Sequence, residues 1–220
     1  RKMIKVAFWF DAPLGYSGGL NYLKNLLHAL KAVNDGTVIP VMFFATDAPE
    51  SVTRPFQAYA QIIRTPILQR KTLPWLAHKL LYKVFHSMTL VNRLMRRHGI
   101  DVVSHAWFVY KGRAPVKVIA WIPDFQYLHL PELFPNLNPD RETLVNQEIA
   151  RQADAVVLSS DHAYKDFCRV ARPEHHARGR ILRFVCQPAP AGGGCPAAPG
   201  DHGAVLLRAG RRGASRQESR

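Results

Sequence analysis

The chain has 220 residues, 47% of them hydrophobic and 21% charged. This is the composition of a globular protein with room for one ordinary domain and a remnant, and it excludes two full domains. No apolar run reaches the roughly 20 residues that span a bilayer, and the N-terminus lacks the pattern of a signal peptide, so we expect a cytoplasmic protein. The three cysteines are odd in number and widely spaced, which favours free thiols over a disulfide framework or a zinc site.

The formal charge of +14 is concentrated in one part of the sequence. From Ser51 to Ile100 there is no Asp or Glu, although nine Lys and Arg residues fall in that stretch. A surface of this kind faces an anionic partner, which can be membrane phospholipid, a phosphorylated substrate or nucleic acid.

The first 44 residues have the pattern of a strand, a glycine-containing loop, a helix and a second strand. Ile4 to Phe10 is an apolar run that only Lys5 interrupts, and the loop that follows contains Gly15, Gly18 and Gly19. Leucines recur at steps of three and four residues from Leu20 to Val33, which predicts an amphipathic helix, and Val38 to Phe44 is a second buried strand. This order is typical of the opening unit of a doubly wound parallel sheet.

Within the acid-free stretch, Leu73 to His98 predicts one long helix with an apolar face. Two interpretations remain open. The helix can pack its apolar face on the core and leave a solvated basic face, or it can rest on anionic lipid as a basic amphipathic surface. The residues assigned to such a surface are Lys71, Trp75, Lys79, Lys83, Arg93, Arg96 and Arg97.

The second half alternates between strands and helices. Strands are predicted over Ile100 to Trp107, Val116 to Ile122, Ala153 to Leu158 and Arg180 to Val185, with helices from about Pro139 to Gln152 and from Asp161 to Ala171. The fold class is therefore α/β, a parallel sheet with helices on both faces.

The composition changes after Cys186. Residues 187–220 hold seven of the 14 glycines and no lysine or aromatic residue, so we expect a domain over residues 1–186 and a disordered tail over 187–220. Only Ala204 to Leu207 resembles a fragment of structure. The tail is either native or the product of a coding sequence that has left its reading frame.

Two features are candidates for a site. Asp124 comes just after the strand that Pro123 ends, at the edge of an open α/β sheet where ligands bind, although it can instead cap the turn. Gly18 and Gly19 can allow close approach of a substrate or form a plain tight turn. They do not complete a G-x-G-x-x-G fingerprint, which argues against a nicotinamide cofactor.

The residues Tyr16 to Tyr22 (YSGGLNY) and Trp121 to Phe134 (WIPDFQYLHLPELF) resemble the N-terminal domain of GT-B glycosyltransferases. The resemblance is closest to the retaining, nucleotide-sugar-dependent group that includes mannosyl- and glucosyltransferases of bacterial envelope polysaccharide synthesis, and it covers Lys2 to about Val185. It implies one Rossmann-like half of a GT-B fold, a nucleotide-sugar co-substrate, a sugar or lipid-linked acceptor, and no bound cofactor or metal. We expect no metal-ligand cluster among the scattered histidines.

The resemblance also assigns residues. It places Gly18 and Gly19 in a cleft near the donor phosphates or the acceptor, with Tyr16, Ser17 and Asn21 beside them. Asp124 matches the Asp of a catalytic His-Asp pair whose His position holds Pro123, and His129 is the candidate to replace that histidine. The neighbouring Phe125 and Gln126 are predicted to contact substrate.

In the resembled group a second domain carries most of the donor contacts. This chain runs into its glycine- and arginine-rich tail where that domain would begin, so we expect a truncated or frameshifted acceptor half with negligible activity alone. Association with the inner face of a membrane is expected, and nucleic acid is not an expected partner. The alternative function is a non-catalytic basic α/β module that binds nucleic acid or an acidic partner.

Overall fold

The computed structural model of the chain describes residues 2–9, 17–106, 114–170, 180–186 and 205–209. Its strands are β1 (Ile4–Trp9), β2 (Val38–Ala45), β3 (Gln61–Thr65), β4 (Val102–Ala106), β5 (Lys117–Ile122), β6 (Ala155–Leu158), β7 (Arg180–Cys186) and β8 (Val205–Ala209). Its helices are α1 (Ser17–Val33), α2 (Glu50–Thr53), α3 (Leu73–Lys83), α4 (Thr89–Arg97), α5 (Gln126–His129), α6 (Pro139–Gln152) and α7 (Asp161–Val170). Short 3-10 turns follow α2 and α5.

The strands form one sheet in the order β3-β2-β1-β4-β5-β6-β7-β8. Every neighbouring pair is parallel except β7 and β8, which are antiparallel. The predicted α/β, Rossmann-like parallel sheet is thus confirmed. The strand order reverses between β1 and β4, and the crevice at the carboxyl ends of strands beside such a reversal is where open α/β sheets bind ligands.

Helices cover both faces of the sheet, which explains why the central strands are apolar without alternation. On one face Phe8 and Phe44 pack against Leu23 and Leu27 of α1. On the other face the cluster that contains Ala7, Trp9 and Phe43 packs against Val91 and Met95 of α4. Further along the sheet, Ile122 and Leu158 share a third cluster with side chains of α6 and α7.

The single long helix predicted from Leu73 to His98 is wrong, because the structure divides it into α3 and α4. The chain turns at His86, whose φ of 49° is left-handed, and the Ser87 N–H donates to the Leu81 carbonyl. The predicted apolar face is divided too. Its α4 half is buried, whereas Leu76 and Leu80 of α3 are at least half exposed.

Helix α1 begins at Ser17, three residues before its predicted start. Gly18 and Gly19 therefore lie in the first helical turn, and the interpretation of the pair as a plain tight turn is wrong. Strand β3 was not predicted, because it is a five-residue strand at the edge of the sheet and is only partly buried.

The expected disorder of residues 187–220 lies outside the described residues, apart from β8. That strand overlaps the short apolar fragment noted in the sequence and pairs with β7. Among the residues that the structure describes, no helix is long and apolar enough to cross a membrane.

Candidate functional site at the carboxyl edge of the sheet

A group of aromatic and polar side chains lies near the carboxyl ends of the central strands. We call it the rim cluster, and it consists of Tyr22, Ser104, His105, Trp121 and Ser159. Its members come from α1, β4, β5 and the residue after β6. It thus lies beside the point where the strand order reverses.

Strand β4 contains a bulge that turns the His105 side chain toward the other members of the rim cluster. The register with β5 shifts between Ser104 and Ala106, and His105 has a left-handed φ of 58°. This conformation costs a non-glycine residue about 1 to 2 kcal/mol, and such strain is concentrated at functional sites. Because of the extra residue, Val103 and Ala106 lie in the same core cluster, which regular alternation would not allow.

His105 is the centre of a buried hydrogen-bonded chain. Its Nδ1 lies 2.9 Å from the Ser104 hydroxyl oxygen, and its Nε2 lies 3.0 Å from the Tyr22 hydroxyl oxygen. Burial lowers the pKa of His105 to about 3 and raises the pKa of Tyr22 above its usual value. At neutral pH the imidazole is therefore uncharged and the phenol is protonated. The hydrogen bonds between Ser104, His105 and Tyr22 thus hold these side chains in position, and none of the three carries a charge.

Tyr22 also stacks on Trp121. The two ring centroids are 4.5 Å apart with an interplanar angle of 9°, and Trp121 Nε1 donates to the Ser159 hydroxyl at 3.0 Å. Trp121 is only 6% exposed, so its ring is a buried support for Tyr22 and does not face solvent. The stack fixes the N-terminal half of α1 against β5.

The predicted glycine site lies at the start of α1, one helical turn before Tyr22. Gly18 and Asn21 are exposed, and a Cβ added at Gly18 would meet no atom within 4 Å. Gly19 is buried. Helix N-termini carry unpaired N–H groups and a partial positive charge, and the first turn of α1 contains no acidic residue. Tyr16 and the side chain of Ser17 lie outside the described part of the chain.

Asp124 is exposed just beyond β5, as predicted from its position after the strand. Its Oδ1 accepts a hydrogen bond from the Gln126 N–H at 3.2 Å, so the carboxylate does cap the turn. Its exposed carboxylate can still accept another hydrogen bond. Gln126 is exposed as well.

The side chain of Phe125 lies in the core and not in a cleft. It is 2% exposed, and its ring centroid lies 6.2 Å from that of Tyr127 and 6.5 Å from that of Phe167. Its packing accounts for an aromatic residue at this position, and its ring is not available to a substrate.

His129 turns toward α7. Its Nε2 lies 2.8 Å from Oδ2 of the buried Asp166, and His162 of α7 approaches the same oxygen at 3.8 Å. The expectation that the scattered histidines form no ligand cluster is therefore wrong for His129 and His162, because both lie near the Asp166 carboxylate in an arrangement that could hold a metal ion. The sequence showed no sign of it, because an apolar strand and a helix separate His129 from the α7 residues.

The basic residues assigned to an anionic surface lie mainly on the outside of α3 and α4. Lys71, Lys79, Lys83, Arg93, Arg96 and Arg97 are exposed. Trp75 is half-buried, and Lys79 Nζ lies 5.9 Å from the centroid of its ring. The acid-free stretch thus presents positive charge and, on α3, exposed apolar side chains.

A cleft of about 960 Å³ lies at the opposite, amino-terminal edge of the sheet, lined in part by Asp101, Lys117 and Asp154. These charged groups already hold the fold together. Asp101 accepts the N–H of Lys5 at 3.0 Å, and Asp154 accepts the N–H of Val118 at 2.9 Å and pairs with Lys117 Nζ at 2.7 Å. We therefore assign this cleft a structural role.

No family model matches the chain, and no curated protein matches it. Among solved structures, it is similar to a mutant of O-GlcNAc transferase from Thermobaculum terrenum, with 14% identity, a TM-score of 0.45, and coverage of 90% of this chain and 32% of that one. It is also similar to sucrose-phosphate synthase from Thermosynechococcus elongatus, with 13% identity, a TM-score of 0.44, and coverage of 80% and 87%. The chain thus spans about a third of the first of these proteins. Both are glycosyltransferases, but likeness at this level carries no argument about activity.

Proposed function

We propose that this chain is the acceptor-side half of a glycosyltransferase, which transfers a sugar from a nucleotide-sugar to an envelope polysaccharide or a lipid-linked acceptor. The observation that carries the proposal is the stack of Tyr22 on Trp121. Tyr22 ends one of the two stretches that resemble the GT-B N-terminal domain, and Trp121 begins the other. The fold brings both to the carboxyl edge of one sheet, at its reversal of strand order.

The exposed groups around this stack have complementary roles in such a reaction. The open space beside Gly18 lets a substrate approach the first turn of α1, whose N–H groups favour an anionic group such as a diphosphate. Asp124 would accept a hydrogen bond from a sugar hydroxyl and so orient the acceptor. His105 is a positioning residue, because it holds the Tyr22 hydroxyl and has no charge to supply.

The chain itself binds no cofactor in this proposal, and the nucleotide-sugar is a co-substrate. We expect it to be inactive alone, because most donor contacts in the resembled group come from a second domain. A transfer assay with radiolabelled UDP-glucose and GDP-mannose and a lipid-linked acceptor tests this point. Negligible turnover is the expected result. Turnover by these 220 residues would contradict the proposal that the chain is inactive alone.

The proposal also explains the composition of residues 187–220 as a change of reading frame before a second domain. DNA sequencing downstream of the Cys186 codon tests it. A second α/β domain encoded in another frame is the expected result. An intact frame with no such domain would contradict both the truncation and the GT-B assignment.

We also propose that α3 rests on the cytoplasmic face of an anionic membrane. Leu73, Leu76, Leu80 and Val84 recur along one side of the helix and are 81%, 50%, 57% and 56% exposed. Exposed apolar side chains that recur at helical spacing are typical of an interfacial helix. Lys79 and Lys83 flank this row, where they would meet lipid phosphates.

A further inference from the structure

We propose that His129, His162 and Asp166 form a binding site for a divalent transition metal ion of the zinc type. The site joins α5 to α7. It goes beyond the proposed transferase function and does not depend on it.

The three side chains have the geometry of a partly assembled metal site. His162 and Asp166 are four residues apart and therefore share one face of α7, and His129 reaches the same carboxylate from α5. Their ligand atoms all lie within 4.8 Å of one another, and Asp166 Oδ2 lies 2.8 Å from His129 Nε2 and 3.8 Å from His162 Nδ1. Ligands about 2.0 to 2.1 Å from a tetrahedral zinc ion are about 3.3 Å apart. Small side-chain rotations would therefore admit the ion.

The charge balance at Asp166 favours a cation. This carboxylate is 3% exposed, and within the described part of the chain its partners are the two imidazoles and Arg169. Arg169 Nη1 is 3.8 Å from Oδ1, so this arginine approaches the oxygen that the histidines do not use. A buried carboxylate needs a close compensating charge, and a metal ion between Oδ2 and the imidazoles would supply it.

The ligand set and its exposure indicate the class of ion. Two imidazoles with one carboxylate suit zinc, cobalt, nickel, copper or iron, and they do not suit magnesium or calcium. The side chains of His129 and His162 are 39% and 74% exposed, so water can fill the remaining coordination positions. Bound metal would tie the segment that contains Asp124 to α7.

The simplest competing explanation is an ion pair between His129 and Asp166 that holds α5 in place. Such a pair needs neither a metal nor His162. The variant His162→Ala therefore separates the two explanations, and because His162 is largely exposed this variant should keep its fold.

Calorimetric titration of the full chain with Zn²⁺ tests the site. We expect the unmodified chain to bind one Zn²⁺ equivalent that His162→Ala and Asp166→Asn bind more than about tenfold more weakly, since even the loss of an outer-shell partner costs 10- to 100-fold. Circular dichroism establishes that each variant is folded. Mg²⁺ should produce no binding at this site.

Two controls address other zinc ligands in the chain. His28→Ala removes an exposed histidine of α1, and Cys168→Ser removes a thiol of α7. Both should bind Zn²⁺ like the unmodified chain, while Arg169→Ala should bind it more tightly because a nearby cation is lost. The proposal is overturned if the unmodified chain does not bind Zn²⁺, if folded His162→Ala binds it equally well, or if Cys168→Ser abolishes the same equivalent.

Discussion

The phenol ring of Tyr22 lies flat on the indole of Trp121, with centroids 4.5 Å apart, and its hydroxyl oxygen lies 3.0 Å from Nε2 of His105. One side chain of α1 is thereby held by two strands of the sheet, β4 and β5. Gly18 lies one helical turn before Tyr22, so these two contacts help to position the first turn of α1.

Tyr22→Phe separates the two contacts, because it keeps the stack and removes the hydroxyl. His105 Nε2 then loses a buried hydrogen-bond partner, so we expect the free energy of unfolding to fall by about 1 to 3 kcal/mol. Urea denaturation measures it. The matched control is Tyr59→Phe, since the Tyr59 hydroxyl has no hydrogen bond to the described part of the chain, and it should change stability little. Equal effects of the two variants would show that the Tyr22 hydroxyl is not held as described.

Stability should fall in mild acid because of His105. Its folded pKa of about 3 lies below the unfolded value of 6.5, so the unfolded state binds the proton first as the pH drops. This difference should remove about 2 kcal/mol of the unfolding free energy between pH 7 and pH 5, and the loss continues until the pH reaches the folded pKa. Urea denaturation at several pH values measures how steeply the free energy of unfolding changes with pH. His105→Gln, which does not titrate, should flatten this dependence, and an unchanged slope in that variant would assign the effect to other groups.

Membrane association of α3 can be measured by cosedimentation with vesicles that contain phosphatidylglycerol. Lys79→Glu with Lys83→Glu should weaken binding by at least roughly 30-fold, at about 1 kcal/mol per lysine. Leu76→Ser with Leu80→Ser should weaken vesicle binding too, because it removes apolar surface that would enter the membrane. Both leucines are exposed, so the substitutions leave the core intact. The control pair is Lys24→Glu with Lys165→Glu, which makes the same charge change on α1 and α7. Salt-sensitive binding to RNA or DNA without binding to vesicles would favour the nucleic-acid module instead.

Asp124→Asn tests whether the carboxylate does more than cap a turn. The Asn side-chain oxygen can still accept the Gln126 N–H, so stability should stay within about 0.5 kcal/mol of the original. In a longer chain that includes the proposed second domain, the substitution should decrease sugar transfer. Unchanged transfer would leave Asp124 with a purely structural role.

The fold was predictable because buried parallel strands and amphipathic helices leave strong local patterns. Val6 to Trp9 and Val118 to Ile122 are continuous apolar runs, and the helix of Pro139–Gln152 was recognisable from its proline and its Asn138 cap. The break between α3 and α4 was not predictable in this way, since the apolar spacing continues through a left-handed residue, His86.

The candidate site was predictable only in part. The glycine pair and Asp124 follow strands, and strand ends meet at one edge of the sheet. His105 was missed because its role depends on a bulge, which the residue pattern does not encode. The polar Ser104-His105 pair inside an apolar strand was the available signal, because buried polar groups need partners. The pairing of His129 with Asp166 depends on how α5 packs on α7, and only the tertiary structure shows it.

The most direct test of the central claim is an NMR titration of the ¹⁵N-labelled chain with UDP-glucose, GDP-mannose and a short lipid-linked oligosaccharide. Shifts are expected for the amides of Gly18, Asn21 and Gln126 at the carboxyl edge. Gly18→Ala should abolish them without unfolding the chain, because its methyl group enters open space. Shifts confined to Lys117 and Asp154 at the opposite edge, or no response to any of these ligands at millimolar concentration, would contradict a sugar-transfer site at the carboxyl edge of this sheet.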